Sequence, residues 1–234
     1  MTWFTTMPIN PQKRGGRKLL GSPQAMHAAI MAAFPPGTAE SGNQDVGRVL
    51  WRVDRNGHEH RLYIVSPERP DLTHVVEQAG WVGQIWDSAP YDALLDRLAL
   101  GQQWAFRLTA NPVTRGTASK REGTRGKVLP HVTPAQQTDW LLSKAARNGF
   151  EIRQNPPEGV DEPVPDVAVT SRADERFGRR DEEARATSVV TVRRVQFDGS
   201  LTITAPEDFR SMLVNGLGRA KAYGCGLMPL KKLG

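Results

Sequence analysis

An Asn56-Gly57 dipeptide separates two strand-like runs, 48–55 and 60–66, and this hairpin fixes the centre of the N-terminal half. A type I′ turn needs positive φ at both central residues, which Asn and Gly tolerate best. The flanking segments add the other elements. Residues 3–9 read as a strand whose Pro8 marks an edge or an end. A basic loop follows. Ser22-Pro23 then opens a helix, because Ser caps well and Pro is pre-set for the first helical position. Met26, Ala29, Ile30, Ala33 and Phe34 recur at helical spacing as its buried stripe, and Pro35-Pro36-Gly37 ends it. A short helix over 71–79 and a strand over 81–87 complete the order β-α-β-β-α-β, the ferredoxin-like arrangement.

The order repeats after a short helix near 91–99. Trp104, Phe106 and Leu108 alternate within a strand, and a basic loop runs over 111–131. Thr133-Pro134 starts the second long helix, Gly149 sits just past its end, and 150–154 reads as a strand. Residues 187–197 and 200–204 read as a hairpin around Asp198-Gly199, Pro206 opens a helix to Asn215, and 227–230 is the expected last strand. The expected fold is therefore α+β, with tandem ferredoxin-like domains at 1–99 and 100–234. Segment 155–186 interrupts the second unit. It is rich in Pro, Asp, Glu and Arg, lacks periodicity, and reads as a long mobile insertion.

Charge points to a polyanionic partner. The net charge is +6, and the basic residues cluster. Arg14, Arg17 and Lys18 form one group beside Lys13; Arg115, Lys120, Arg121, Arg125 and Lys127 form another. Arg219, Lys221, Lys231 and Lys232 follow Gly216 with no acid among them, while the acids collect between Glu158 and Glu183. Segregation of this kind suits phosphate contacts, which gain from counterion release; the alternative for any one cluster is a solvated loop. Cys225 is the single cysteine, so an internal disulfide and a Cys-based zinc site are excluded, and a cytoplasmic setting is favoured. His58 and His60 share a face of the first hairpin, where an exposed turn pair is the commoner meaning and a metal site the rarer. No apolar run reaches the ~18 residues of a membrane span, and no signal-peptide pattern opens the chain.

Four glycines, Gly216, Gly218, Gly224 and Gly226, fall within eleven residues, with Arg219 and Lys221 between them. Missing side chains permit left-handed backbone and let amides approach phosphates. The segment follows a helix and precedes a strand, the reverse of a dinucleotide-binding loop. A tight structural turn is the competing explanation. His27 stands on the shoulder of the first long helix, beside its buried stripe. With an unperturbed pKa near ~6.5 it suits proton transfer, although most helix-edge histidines are boundary residues.

The Gly216–Leu227 segment resembles the glycine-rich loop of the repeat-associated RNA-binding superfamily of CRISPR systems. Ser22-Pro-Gln-Ala-Met-His27 followed by Phe34-Pro35 is similar to the first-helix motif of the CasE family, Val49–Val53 to its second strand, and Phe106–Pro112 to the start of its second domain. The resemblance implies a metal-independent endoribonuclease that uses no cofactor. It would cut CRISPR precursor RNA at the base of a repeat hairpin, keep the product, and join other subunits of the type I-E Cascade complex. His27 matches the family's catalytic histidine. Gln24 occupies the place, one helical turn earlier, where some members carry a tyrosine, and glutamine cannot titrate usefully. RNA contacts are expected from both basic clusters, from the glycine-rich segment, and from Arg176, Arg179 and Arg180 at the stem base. The chain is expected to be monomeric when isolated.

Overall fold

The structure is a computed structural model and describes residues 1–36, 48–115, 128–155, 163–181 and 186–233. The first sheet contains β1 (Trp3–Ile9), β2 (Leu50–Asn56), β3 (Glu59–Ser66) and β4 (Asp87–Pro90), ordered β2-β3-β1-β4 with antiparallel neighbours. Helices α1 (Arg14–Gly21), α2 (Pro23–Met31) and α3 (Thr73–Ala79) accompany it, and α4 (Asp92–Leu95) leads out of it. Alternation assigns both faces. Met7, Ile9, Trp51, Leu62 and Ile64 point into a core with Leu19, Met26, Ile30 and Val75 of the helices. Leu50 and Val65 point the other way, into a core shared with the second half of the chain, against which Phe4 and Tyr63 also pack. Pro8 is tolerated because β4 covers only Trp3–Thr6, so one side of β1 has no strand beside it there.

The second half contains β5 (Gln103–Ala110), β6 (Val113–Arg115), β7 (Val128–Pro130), α5 (Pro134–Ala145), β8 (Phe150–Ile152), β9 (Gln154–Asn155), β10 (Val164–Pro165), β11 (Val167–Asp181), β12 (Ala186–Ile203), α6 (Pro206–Asn215) and β13 (Leu230–Lys232). Its main sheet runs β11-β12-β5-β13, and β8 also pairs with β12. The order second-third-first-fourth recurs, so both halves are ferredoxin-like and the fold is α+β, as expected. Thr133 and Gln136 cap α5 reciprocally, and Gly149 (φ 73°) closes the 3₁₀ turn that follows.

Five expectations need correction. The 155–186 segment is not simply a loop, because β11 occupies 167–181 and pairs with β12 along its length. Its mixed charge, read as a sign of disorder, is used across the strands: Arg193 bonds Asp174 at 2.6 Å and Arg194 bonds Glu175 at 2.8 Å. Asp198-Gly199 is not a turn, because β12 passes straight through it. A Cβ at Gly199 would lie 2.3 Å from the Asp166 carbonyl oxygen, so the glycine serves a close strand approach. The loop expected after β1 is α1. Added Cβ atoms at Gly15 and Gly16 would fall 2.2 Å from the Gln78 oxygen and 1.8 Å from the Asn10 oxygen, so this Gly-Gly pair lets a helix pack where its low propensity suggests none. Residues 81–86 form no strand: Gly83 has φ 75°, and β4 starts only at Asp87. The last strand lies slightly later than expected, at 230–232.

Candidate functional site

Helix α2 is set by its first turn. The Ser22 hydroxyl accepts the Ala25 amide at 3.2 Å, and Pro23 occupies the start. Met26 and Ile30 anchor the helix in the core. His27, next to Met26, is therefore half-buried on the helix edge, and Gln24 one turn earlier is exposed. Burial lowers the His27 pKa from its ordinary 6.5, so the ring is neutral at neutral pH. Its Nδ1 is buried with no hydrogen-bond partner among the described residues.

The glycine-rich segment is shaped by packing and by backbone angle together. Gly216, Gly218, Gly224 and Gly226 all have positive φ, from 75° to 94°. A Cβ at Gly216 would meet Leu50 Cδ2 at 2.8 Å, one at Gly218 would meet Trp140 Cζ2 at 3.1 Å, and one at Gly224 would meet Trp51 Cζ3 at 2.8 Å. The amides of Gly216, Gly224 and Gly226 donate to the carbonyls of Met212, Lys221 and Thr109. Those three amides are committed to the fold, and Arg219 and Lys221 between the glycines add cationic side chains to the groove. Ala220 (φ 61°) is the one non-glycine with positive φ among the described residues, and it directly precedes the 3₁₀ turn Lys221–Tyr223. Cys225, in the same segment, is fully buried, which pushes its thiol up to about 12 and makes it a packing residue.

Helix α2 packs against that 3₁₀ turn. Between them lies an open groove of about 630 Å³ lined by Gln24, His27, Arg48, Gly218, Arg219 and Lys221, with Ala220, Ala222 and Tyr223 completing the wall. Among the described residues its charged lining is Arg48, Arg219 and Lys221, with no carboxylate. The Lys221 pKa is lowered, first by burial and then by the charge of Arg48. Chemically, the groove joins a neutral imidazole to a cationic wall, which suits a phosphodiester.

The remaining expected residues are spread more widely. Arg14, Arg17 and Lys18 are exposed on α1, at helical spacing that puts them on one side; Arg17 also donates to the Gln12 carbonyl at 2.6 Å. Arg115 ends β6, whereas Lys120, Arg121, Arg125 and Lys127 lie outside the described residues. Arg176, Arg179 and Arg180 lie in β11, Arg176 exposed. Arg14, Arg17, Lys18 and Arg176 do not line the groove beside His27. Sequence reasoning missed Arg48 and Tyr223. Arg48 is an isolated arginine before β2 with no motif around it. Tyr223 sits inside the glycine-rich segment, where the glycines and cations drew attention away from it.

Comparison with known proteins agrees with this architecture. A family model described as CRISPR associated protein matches residues 2–232. The CRISPR-associated endoribonuclease Cse3 of Thermus thermophilus is 29% identical over 230 residues, covering 97% of this chain and 99% of that protein. The Cascade subunit CasE of Escherichia coli is 29% identical over 145 residues, covering 58% of this chain and 62% of that protein. The solved structure of Thermus thermophilus Cse3 bound to an RNA representing a pre-cleavage complex superimposes with a TM-score of 0.74 at 26% identity, covering 98% of both chains. With residues 2–232 matched by the family model, this chain, which is similar to Cse3 and CasE, belongs to the CRISPR-associated protein family.

Proposed function

We propose that this protein is a metal-independent endoribonuclease that cleaves CRISPR precursor RNA at the base of the repeat hairpin. The observation that carries this reading is the groove in which His27 stands with the cations Arg48, Arg219 and Lys221 and, among the described residues, no carboxylate. The adjacent 2′-hydroxyl attacks the phosphorus, His27 accepts its proton, and the cations stabilise the phosphorane. The products are a 2′,3′-cyclic phosphate and a 5′-hydroxyl. Relatives named as an endoribonuclease and as a Cascade subunit support the reading. On this account the mature RNA stays bound, and the protein acts within Cascade in the cytoplasm and is a monomer when isolated. Among the described residues no helix is long and apolar enough to cross a membrane. Residues 1–99 form the domain that bears the catalytic helix, and residues 100–234 form the domain that bears the basic loop and glycine-rich segment. The α1 cations, the 115–127 cluster and the β11 arginines track RNA phosphates.

Gln24 favours a second reading, a hairpin-binding subunit with little or no catalysis, because this exposed groove residue cannot move a proton. One incubation separates the two. Repeat-hairpin RNA and protein are mixed in EDTA, and the product ends are identified. Cyclic phosphate on the upstream fragment supports the enzyme. Tight binding without cleavage supports the passive subunit, and strict dependence on added magnesium refutes the proposed chemistry.

A further inference from the structure

Building on the endoribonuclease reading, we infer that Lys221 is the general acid of the reaction, donating the proton that the departing 5′-oxygen requires. Three observations converge on it. First, a neutral His27 can take a proton but has none to spare at the start, so the acid must be a different group that rests protonated. Second, among the described residues few groups face the groove. Gln24 and His27 come from α2, Arg48 from the approach to β2, and Arg219, Lys221 and Tyr223 from the glycine-rich segment. Arginine does not give up its proton. The Tyr223 ring is packed on Phe177, with centroids 4.6 Å apart. Third, Lys221 is held in place rather than free. Its backbone follows the left-handed Ala220, and its stem passes over Gly226, where an added Cβ would lie 3.4 Å from Lys221 Cγ. Strained backbone immediately before a positioned side chain is a common feature of functional sites. Burial and the nearby Arg48 bring its acidity closer to neutral than that of a solvated lysine, which helps proton donation.

The step balances. The 2′-oxygen loses its proton to His27 and forms a bond to phosphorus. The bond from phosphorus to the 5′-oxygen breaks, and that oxygen takes a proton from Lys221 Nζ. The enzyme is left with a protonated imidazole and a neutral amine, and solvent exchange restores both.

The test compares Lys221→Arg with wild type on two hairpin RNAs. One has the ordinary 5′-oxygen at the scissile phosphate; the other has a bridging 5′-sulfur, which leaves without protonation. Arginine keeps the charge and cannot act as the acid. With the oxygen substrate, Lys221→Arg should cleave about 10²–10⁴-fold more slowly than wild type. With the sulfur substrate, the two should cleave at comparable rates, whereas His27→Ala should remain impaired on both. Hairpin binding by Lys221→Arg shows that the variant is folded, and Lys221→Met supplies a second loss-of-acid variant. Three outcomes overturn the inference: a wild-type rate for Lys221→Arg on the oxygen substrate, an equal loss on both substrates, or a sulfur-rescued defect in Tyr223→Phe instead. Wild-type protein that cleaves neither substrate refutes the endoribonuclease reading itself, so the two failures are distinguishable.

Discussion

His27 is useful because it is only partly withdrawn from water. Burial keeps the ring neutral at neutral pH, and its place in the groove wall keeps it accessible to substrate. The sign of the pH dependence follows. A base works deprotonated, so the single-turnover rate should fall as pH drops through a pKa below the ordinary 6.5, and should be flat from there through neutrality. A midpoint well above that value would contradict the assignment. The shoulder position of His27 was legible in the sequence from the Met26 and Ile30 spacing. The groove it faces was not, because its opposite wall lies nearly two hundred residues along the chain. Lys221 was legible as an RNA contact, but its place beside His27, like that of Arg48, emerged only from the fold.

At the scale of elements, two devices position the site. Ser22 caps the helix that carries Gln24 and His27, and Ser22→Ala should destabilise the fold by about 1 kcal/mol in a denaturant melt. The glycine-rich segment depends on positive φ and on contact with Trp51. Gly224→Ala should cost roughly 1–3 kcal/mol and reduce cleavage by shifting Lys221, while a variant with unchanged stability would show that Trp51 yields freely. The helix was legible because Ser-Pro is a local start signal. The β11–β12 hairpin was hidden, because its stabilising groups are charges paired across strands and neither strand shows them alone. Asp198-Gly199 misled for a related reason: a local turn signal serves a distant requirement, the approach of Asp166 and Val167 to β12.

Across the whole molecule, a polar network joins the two sheets. Buried Arg52 of β2 pairs with Asp54 and donates to the Arg107 carbonyl of β5 at 2.9 Å, and Arg107 pairs with Asp198 of β12. Arg52→Ala should destabilise by about 3–5 kcal/mol, since it strips a partner from a largely buried pair. Burial alone would raise the Asp198 carboxyl, but bonds from Arg107, Thr170 and Gln196 outweigh it and hold the group below its ordinary 3.8. A depressed carboxylate pKa contributes stability that is complete above the unfolded value and is lost as pH falls through the folded one. Thermal melts should therefore show acid destabilisation below about pH 4 that Asp198→Asn reduces. An unchanged acid slope in that variant would remove Asp198 from the account.

The central claim is that His27 performs chemistry rather than merely shaping an RNA-binding cleft. The most direct measurement is cleavage of repeat-hairpin RNA by His27→Ala in EDTA, with hairpin affinity measured in parallel. The account predicts no detectable cyclic-phosphate product and retained affinity. Cutting at the wild-type rate would contradict it.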